Sequence, residues 1–272
     1  MGQTKQTEKR PLLLITNDDG IYAPGISILW RTLRAANFAD IAIVAPAVER
    51  SGTGVSITWD RPVHIQQFDW DEGLMVWAVD GSPADCVKLG VRLLIDSTPD
   101  LIVSGINAGS NAGRNVLHSG TVGAVVEGLL RGIPGLALSC EDGQNPNFHV
   151  ASKYVVDLVK FVLENPLPDG SFLNVNFPRA AEEDVKGFRL TRQGRGRWTE
   201  DPKLHRSYTE SASWWIGGKP EELDEHEDCD ISWLRRGYVA AAPIHVHELT
   251  DWSCLEEQKE AFEHYFVVEK KA

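Results

Sequence analysis

Between residues 11 and about 178 the chain alternates short aliphatic runs with amphipathic stretches of helical length, and nothing else constrains its fold so strongly. "LLLIT" (12–16), "IAIVAP" (41–46), "MVWAV" (75–79), "LIVSG" (101–105), "GLALS" (135–139) and "FLNVNF" (172–177) read as strands. "GISILWRTLRAA", "SPADCVKLGVRLLI", "SGTVGAVVEGLLRG" and "FHVASKYVVDLVKFVLEN" read as helices. Strands joined by helices run parallel, and strands that are apolar throughout belong in a sheet covered on both faces. The expected fold class is therefore α/β: a three-layer α/β/α sandwich around a mainly parallel, Rossmann-like sheet. The segment "GVSITWDRPVHIQQF" alternates and is broken by a turn at Asp60–Pro62, which predicts a hairpin inserted after the second strand.

Beyond Pro178 the pattern loosens. "RQGRGRWTEDPKLHRSYTESASWWIGG" predicts short strands around a polar loop, a β-hairpin arm; "GYVAAAPIHVHEL" predicts a strand and "DWSCLEEQKEAFEHYF" a terminal helix. The acidic "PEELDEHEDCD" between them reads as a solvated loop. The division expected is 1–180, an α/β core that carries the site, and 181–272, an extension used in self-association as a homodimer or tetramer. Aromatic residues in the arm motivate that last expectation, because the segment has too little apolar sequence to bury them alone. A formal charge of −12 offers no basic face for nucleic acid. No apolar run is long enough to span a membrane, and the first eleven residues lack the apolar core of a signal peptide. Four scattered cysteines suggest neither a zinc knuckle nor a disulfide framework, so a cytoplasmic protein is expected.

In an open parallel sheet, ligands bind beyond the carboxyl ends of the strands, near a topological switch point. The first strand delivers Asn17, Asp18 and Asp19 there; the second delivers Ser51 in "APAVERSGTG"; "LIVSG" delivers Asn107 and Asn111 in "INAGSNAGRN". Each of these residues alone reads equally well as turn chemistry. Together, two carboxylates, a hydroxyl and an amide carbonyl form an all-oxygen set suited to one hard divalent ion, Mg²⁺ or Mn²⁺, rather than zinc. Next along the chain, Ser119 is a natural N-cap, and the backbone N–H groups of Gly120 and Thr121 would start a helix able to bind an anion. A hard cation beside such a helix start points to phosphate chemistry.

Rival readings are weaker. An aspartyl-nucleophile phosphatase wants Asp-x-Asp rather than adjacent aspartates, and a dinucleotide oxidoreductase needs Gly-x-Gly-x-x-Gly after the first strand. A non-catalytic nucleotide-binding or assembly protein is the remaining alternative. His245 and His247, two apart on a strand, lack the other ligands of a metal site, and Arg192, Arg195 and Arg197 fit a solvated loop.

The stretches "ITNDDGIYAPGI", "IVAPAVERSGTG", "GSPADCVKLGV", "VSGINAGSNAGRNVLHSGTVGAVVEGLLRGIPGLALS", "NVNFP" and "GYVAAAPIHVHELT" resemble, in order, those of the SurE (survival protein E) nucleotidases. The resemblance implies a metal-dependent phosphatase acting on nucleoside 5′-monophosphates, with 3′-nucleotides and short polyphosphate as further substrates to consider. It implies Asp18, Asp19, Ser51 and Asn107 as metal ligands, and Asn111, Ser119, Gly120 and Thr121 as phosphate-binding positions. Asp18 or Asp19 is expected to orient or deprotonate the attacking water, and His118 is a candidate donor to the leaving oxygen. The sequence departs from the family pattern at Asn115 and His118, and in "EDPKLHRSYTES" within the arm.

Overall fold

A computed structural model describes residues 10–70, 73–142, 144–207, 211–221 and 223–265. The chain runs β1 (Leu12–Thr16), α1 (Pro24–Ala36), β2 (Asp40–Pro46), β3 (Ile65–Phe68), β4 (Met75–Val79), α2 (Pro83–Leu89), β5 (Leu101–Ala108) and α3 (Gly120–Leu129). It continues through β6 (Gly135–Cys140), α4 (Phe148–Glu164), β7 (Ser171–Phe177) and β8 (Phe188–Leu190). The arm follows as β9 (Trp198–Thr199), β10 (Lys203–Ser207), β11 (Ala212–Trp215) and β12 (Lys219–Pro220), then α5 (Asp230–Arg235), β13 (Val239–His245) and α6 (Trp252–Tyr265).

Nine strands form one sheet in the order β3-β4-β2-β1-β5-β6-β7-β13-β8. From β4 to β7 every neighbouring pair is parallel, while β3 and β13 pair antiparallel with β4 and β7. The alternation of side chains along β1 shows why such a strand must be apolar throughout. Leu13 and Ile15 enter one core with Ile26 and Leu29 of α1 and Val155 of α4. Leu12 and Leu14 enter the other with Val87 of α2 and Val122 and Val125 of α3. The expected three-layer sandwich is what forms.

The helix starts follow their local chemistry. Ser82 accepts from the Asp85 N–H at 3.0 Å while the Asp85 carboxylate takes the Ser82 N–H at 2.9 Å, a reciprocal cap for α2. Ser119 accepts from the Val122 N–H at 3.1 Å and caps α3 as expected. α2 ends earlier than its periodicity suggests, passing at Gly90 into a wider turn over Gly90–Leu94.

The hairpin expected within residues 54–68 does not form. Only β3 is a strand, and it pairs with β4 (Ile65 opposite Val79, Phe68 opposite Val76). The preceding segment is claimed by the α2 cap: Thr58 N–H bonds Asp85 at 3.0 Å, and the Ser82 hydroxyl bonds the Ser56 carbonyl at 2.6 Å. Its backbone groups are therefore bound to side chains instead of to a partner strand.

In the arm, β10 pairs with β11 and β9 with β12, both antiparallel, as two tiers of one hairpin. β13 and β8 add to the edge of the main sheet beside β7. α6 has no buried residue. No helix among the described residues is long and apolar enough to cross a membrane.

Candidate active site

After β1 the chain builds outward to β2 and β4, then returns to the other side of β1 with β5. The carboxyl ends of β1 and β5 flank this reversal, so their loops diverge and leave a crevice. Asp18 and Asp19 follow β1 directly. β5 extends through Asn107 to Ala108, three residues further than its aliphatic run suggests. Gly105 permits this: its φ is +137°, and a Cβ there would lie 2.4 Å from the Leu138 carbonyl oxygen.

Asp18 is buried and lies against the start of α3. Its Oδ1 accepts from the Thr121 hydroxyl at 2.5 Å, and the backbone N–H groups of Thr121 and Gly120 also stabilise its charge. Burial outweighs these donors and raises its pKa. Asp19, half-buried, accepts from the Ala108 N–H at 3.1 Å. Burial, and after it the neighbouring charge of Asp18, push Asp19 up to about 6, with Glu49 adding to the repulsion. The α3 start thus already binds an anion, and that anion is the Asp18 carboxylate.

The loop after β2 is drawn to the same place. Arg50 N–H bonds the Asp18 carbonyl at 2.7 Å, and Gly54 N–H bonds the His118 carbonyl at 3.0 Å. Ser51 lies between these ties, exposed, with its hydroxyl turned to Glu49 at 2.9 Å. Asn107 donates its side-chain N–H to the Gly109 carbonyl at 2.7 Å, which leaves its side-chain carbonyl oxygen as the atom able to ligate. His118 stands exposed at the rim.

Asn111 has a different setting. It is buried, and its side-chain N–H donates to Ser139 Oγ at 2.8 Å. Its backbone N–H bonds Asn176 Oδ1 at 2.8 Å, and its carbonyl accepts from Asn174 at 3.0 Å. Ser139, Asn174 and Asn176 come from β6 and β7, so a buried amide network pins the loop after β5 to the sheet.

The acidic segment read as solvated is partly structural, which corrects that reading. Asp230 is fully buried, and its carboxylate accepts the N–H groups of Gly113 at 3.0 Å, Gly194 at 2.8 Å and Ile231 at 2.8 Å. Glu225 takes the N–H groups of Arg195 and Gly196. These two acids clasp the base of the arm onto the loop after β5, because glycine-rich backbone leaves N–H groups that need acceptors. Glu49 and Thr53 also escape the sequence reading. Their signal is only their place in the Ser51 loop, and a Cβ on Gly120 would lie 3.0 Å from Thr53 Oγ1.

The donor chemistry fits a hard cation. Two adjacent carboxylates with raised pKa values, Asp18 buried and Asp19 half-buried, hold charge at a cost that a divalent ion would offset, and the side-chain carbonyl oxygen of the preceding Asn17 is buried with no donor. Among the described residues no group of three or more His, Cys, Asp or Glu forms a site, so any cation here relies on neutral oxygens as well. His245 and His247 bond instead to Ser171 and Asp169. A cavity of about 820 Å³, lined by Arg10, Asp40 and Ile95, opens at the opposite ends of the strands.

Comparison with known proteins identifies the family. Residues 13–200 match the family model described as Survival protein SurE. The 5′-nucleotidase SurE of Protochlamydia amoebophila is 46% identical over 256 residues, covering 93% of this chain and 97% of the relative. That of Moorella thermoacetica is 40% identical over 247 residues, covering 90% and 94%. A crystal structure of the SurE protein from Aquifex aeolicus superposes with a TM-score of 0.79 at 34% identity, covering 93% of this chain and all of that one.

Proposed function

The chain belongs to the SurE family, and on that premise we propose that it is a metal-dependent 5′-nucleotidase, hydrolysing nucleoside 5′-monophosphates to nucleoside and phosphate. The observation that carries this reading is the Asp18 carboxylate seated on the first N–H groups and the Thr121 hydroxyl of α3, with Asp19 beside it. One place holds both a ligand pair for a cation and a set of donors for an anion.

Asp18, Asp19, Ser51 and Asn107 would hold one divalent ion, Mg²⁺ or Mn²⁺ by the hardness of the donors. When bound, it supplies Lewis acidity toward the phosphoryl group. The chain's own residues do the rest. Gly120 and Thr121, which hold the Asp18 carboxylate, would donate to an anionic phosphoryl oxygen once that carboxylate turns to the cation. Ser119 holds the helix start in register, and Asn111 fixes the loop after β5 through its buried network. Asp19, the more accessible of the two aspartates, orients the attacking water and takes its proton. His118 at the rim donates to the leaving oxygen.

Phosphate release from 5′-AMP and 5′-GMP, with Mg²⁺ or Mn²⁺ and then with excess EDTA, tests the reading. Turnover that requires the ion is expected; undiminished turnover in EDTA would overturn it. A purely binding or assembly role is not favoured, since relatives matching about nine-tenths of the chain are named 5′-nucleotidases. Self-association through residues 181–272, as a dimer or tetramer, is part of the same reading. It is supported by the exposure of Trp214, Trp215, Ile216 and Trp252. Four unpaired cysteines, three of them buried, fit a reducing cytoplasm.

A further inference from the structure

A cleft of about 650 Å³ opens beside the candidate site, between the loop after β5, the turn after β6, and the arm at β9 and β12. We propose that this cleft receives the nucleoside of the substrate, with the base laid against Trp198. The proposal rests on the nucleotidase reading and extends it to the part of the substrate that does not react.

The cleft adjoins the chemistry through the end of β5. Ala108 and Gly109 line it, and these are the residues whose N–H and carbonyl hold Asp19 and Asn107. A nucleotide with its phosphate at the α3 start therefore has room along the same wall, and the volume falls in the range of small-molecule sites.

Trp198 is placed as a platform. The residue is 56% exposed and lines the cleft. Its backbone N–H bonds Asn115 Oδ1 at 3.2 Å, tying the arm to the helical turn that leads into Ser119. Beneath the indole lies bare backbone: a Cβ on Gly218 would approach its Cε3 to 3.2 Å. A large aromatic surface held in place at a cleft wall accepts any planar base, because every base offers a π-face.

The charges on the walls decide between a nucleoside and an anionic chain. Arg179 is paired with Asp142 at 3.0 Å and Arg197 with Glu221 at 2.9 Å, so acids accompany the bases across the cleft. A polyphosphate would meet those acids without a compensating excess of positive charge. An uncharged, hydrogen-bonding ligand meets donors and acceptors of both kinds.

The test compares 5′-AMP with ribose 5-phosphate, which keeps the reacting end and lacks the base. Wild type, Trp198→Ala and Trp198→Phe are assayed for kcat/KM on both with Mn²⁺, and adenosine binding is measured by calorimetry on the metal-free protein. Trp198→Ala should lower the ratio of the two kcat/KM values, and the affinity for adenosine, by about tenfold, with Trp198→Phe recovering most of each. A ratio and an adenosine affinity that stay within about twofold of wild type in Trp198→Ala would overturn the cleft assignment. Equal wild-type kcat/KM on both substrates would overturn it too, while leaving the phosphatase reading intact. Wild-type protein that cleaves neither substrate would sink the phosphatase reading itself, and this proposal with it.

Discussion

A methyl group at position 120 would sit 2.7 Å from the Cβ of Asp18 and 2.9 Å from its Oδ2, so the α3 start has room for hydrogen only. Gly120→Ala must displace the carboxylate that the site depends on. Its kcat/KM for 5′-AMP should fall by about a hundredfold, equivalent to about 3 kcal/mol of transition-state stabilisation. Thr121→Ala removes the hydroxyl that Asp18 accepts, a hydrogen bond to a charged group worth about 1.5–3 kcal/mol. It should reduce kcat/KM less than Gly120→Ala does. If this turn serves only as a helix cap, both variants will lower Tm while the folded fraction keeps wild-type kinetics. Measuring the two quantities side by side distinguishes these accounts.

Among the elements, α2 and the clasp of the arm show how acids far from the chemistry position it. Burial alone would raise the pKa of Asp85, but hydrogen bonds from Thr58 and Ser82 outweigh burial and hold it below the ordinary 3.8. A depressed native pKa contributes stability above the unfolded value and loses it as pH falls through the native one. Asp85→Asn should therefore be less stable than wild type at pH 7, by about 0.5–2 kcal/mol for a weakened cap. The gap should close below about pH 4, and paired denaturant titrations at the two pH values would reveal a constant gap if the charge does not matter. Asp230 offers the second case. Asp230→Ala leaves the N–H groups of Gly113, Gly194 and Ile231 without their acceptor, costing about 1–3 kcal/mol apiece where no water reaches them. Limited proteolysis should then cut the arm base near Arg195–Arg197 faster than in wild type. Equal cutting rates would mean that Glu225 alone holds the arm.

For the whole molecule, the arm and α6 carry apolar side chains that the described fold does not cover, including Trp214, Trp215 and Trp252. Aromatic exposure of this kind supports the proposed self-association. Light scattering at micromolar concentration should give a mass of at least two chains, and Trp214→Ser with Trp215→Ser should lower it. A wild-type monomer would contradict the assembly. The division at residue 180 belongs to this scale as well: we take 181–272 as an extension, although β8 and β13 complete the sheet edge beside β7.

The periodicity of the chain determined by itself that this is an α/β/α sandwich, because apolar runs joined by amphipathic helices have few other ways to bury both faces. With the rule that ligands bind beyond the carboxyl ends of parallel strands, it also pointed to Asp18, Asp19 and Asn107, and local capping chemistry marked Ser119. What lay beyond it were the contacts between segments far apart in the chain. Residues 54–62 look like half a hairpin, but their backbone bonds Ser82 and Asp85. Asn111 is expected at the phosphate from its loop alone, but its ties to Ser139, Asn174 and Asn176 are not legible there. Asp230 looks solvated, but it satisfies glycine N–H groups some 36 and 117 residues away. A polar side chain has the same local signature whether it faces water, a cation or an orphaned backbone group. Only the packed chain decides which of the three it meets.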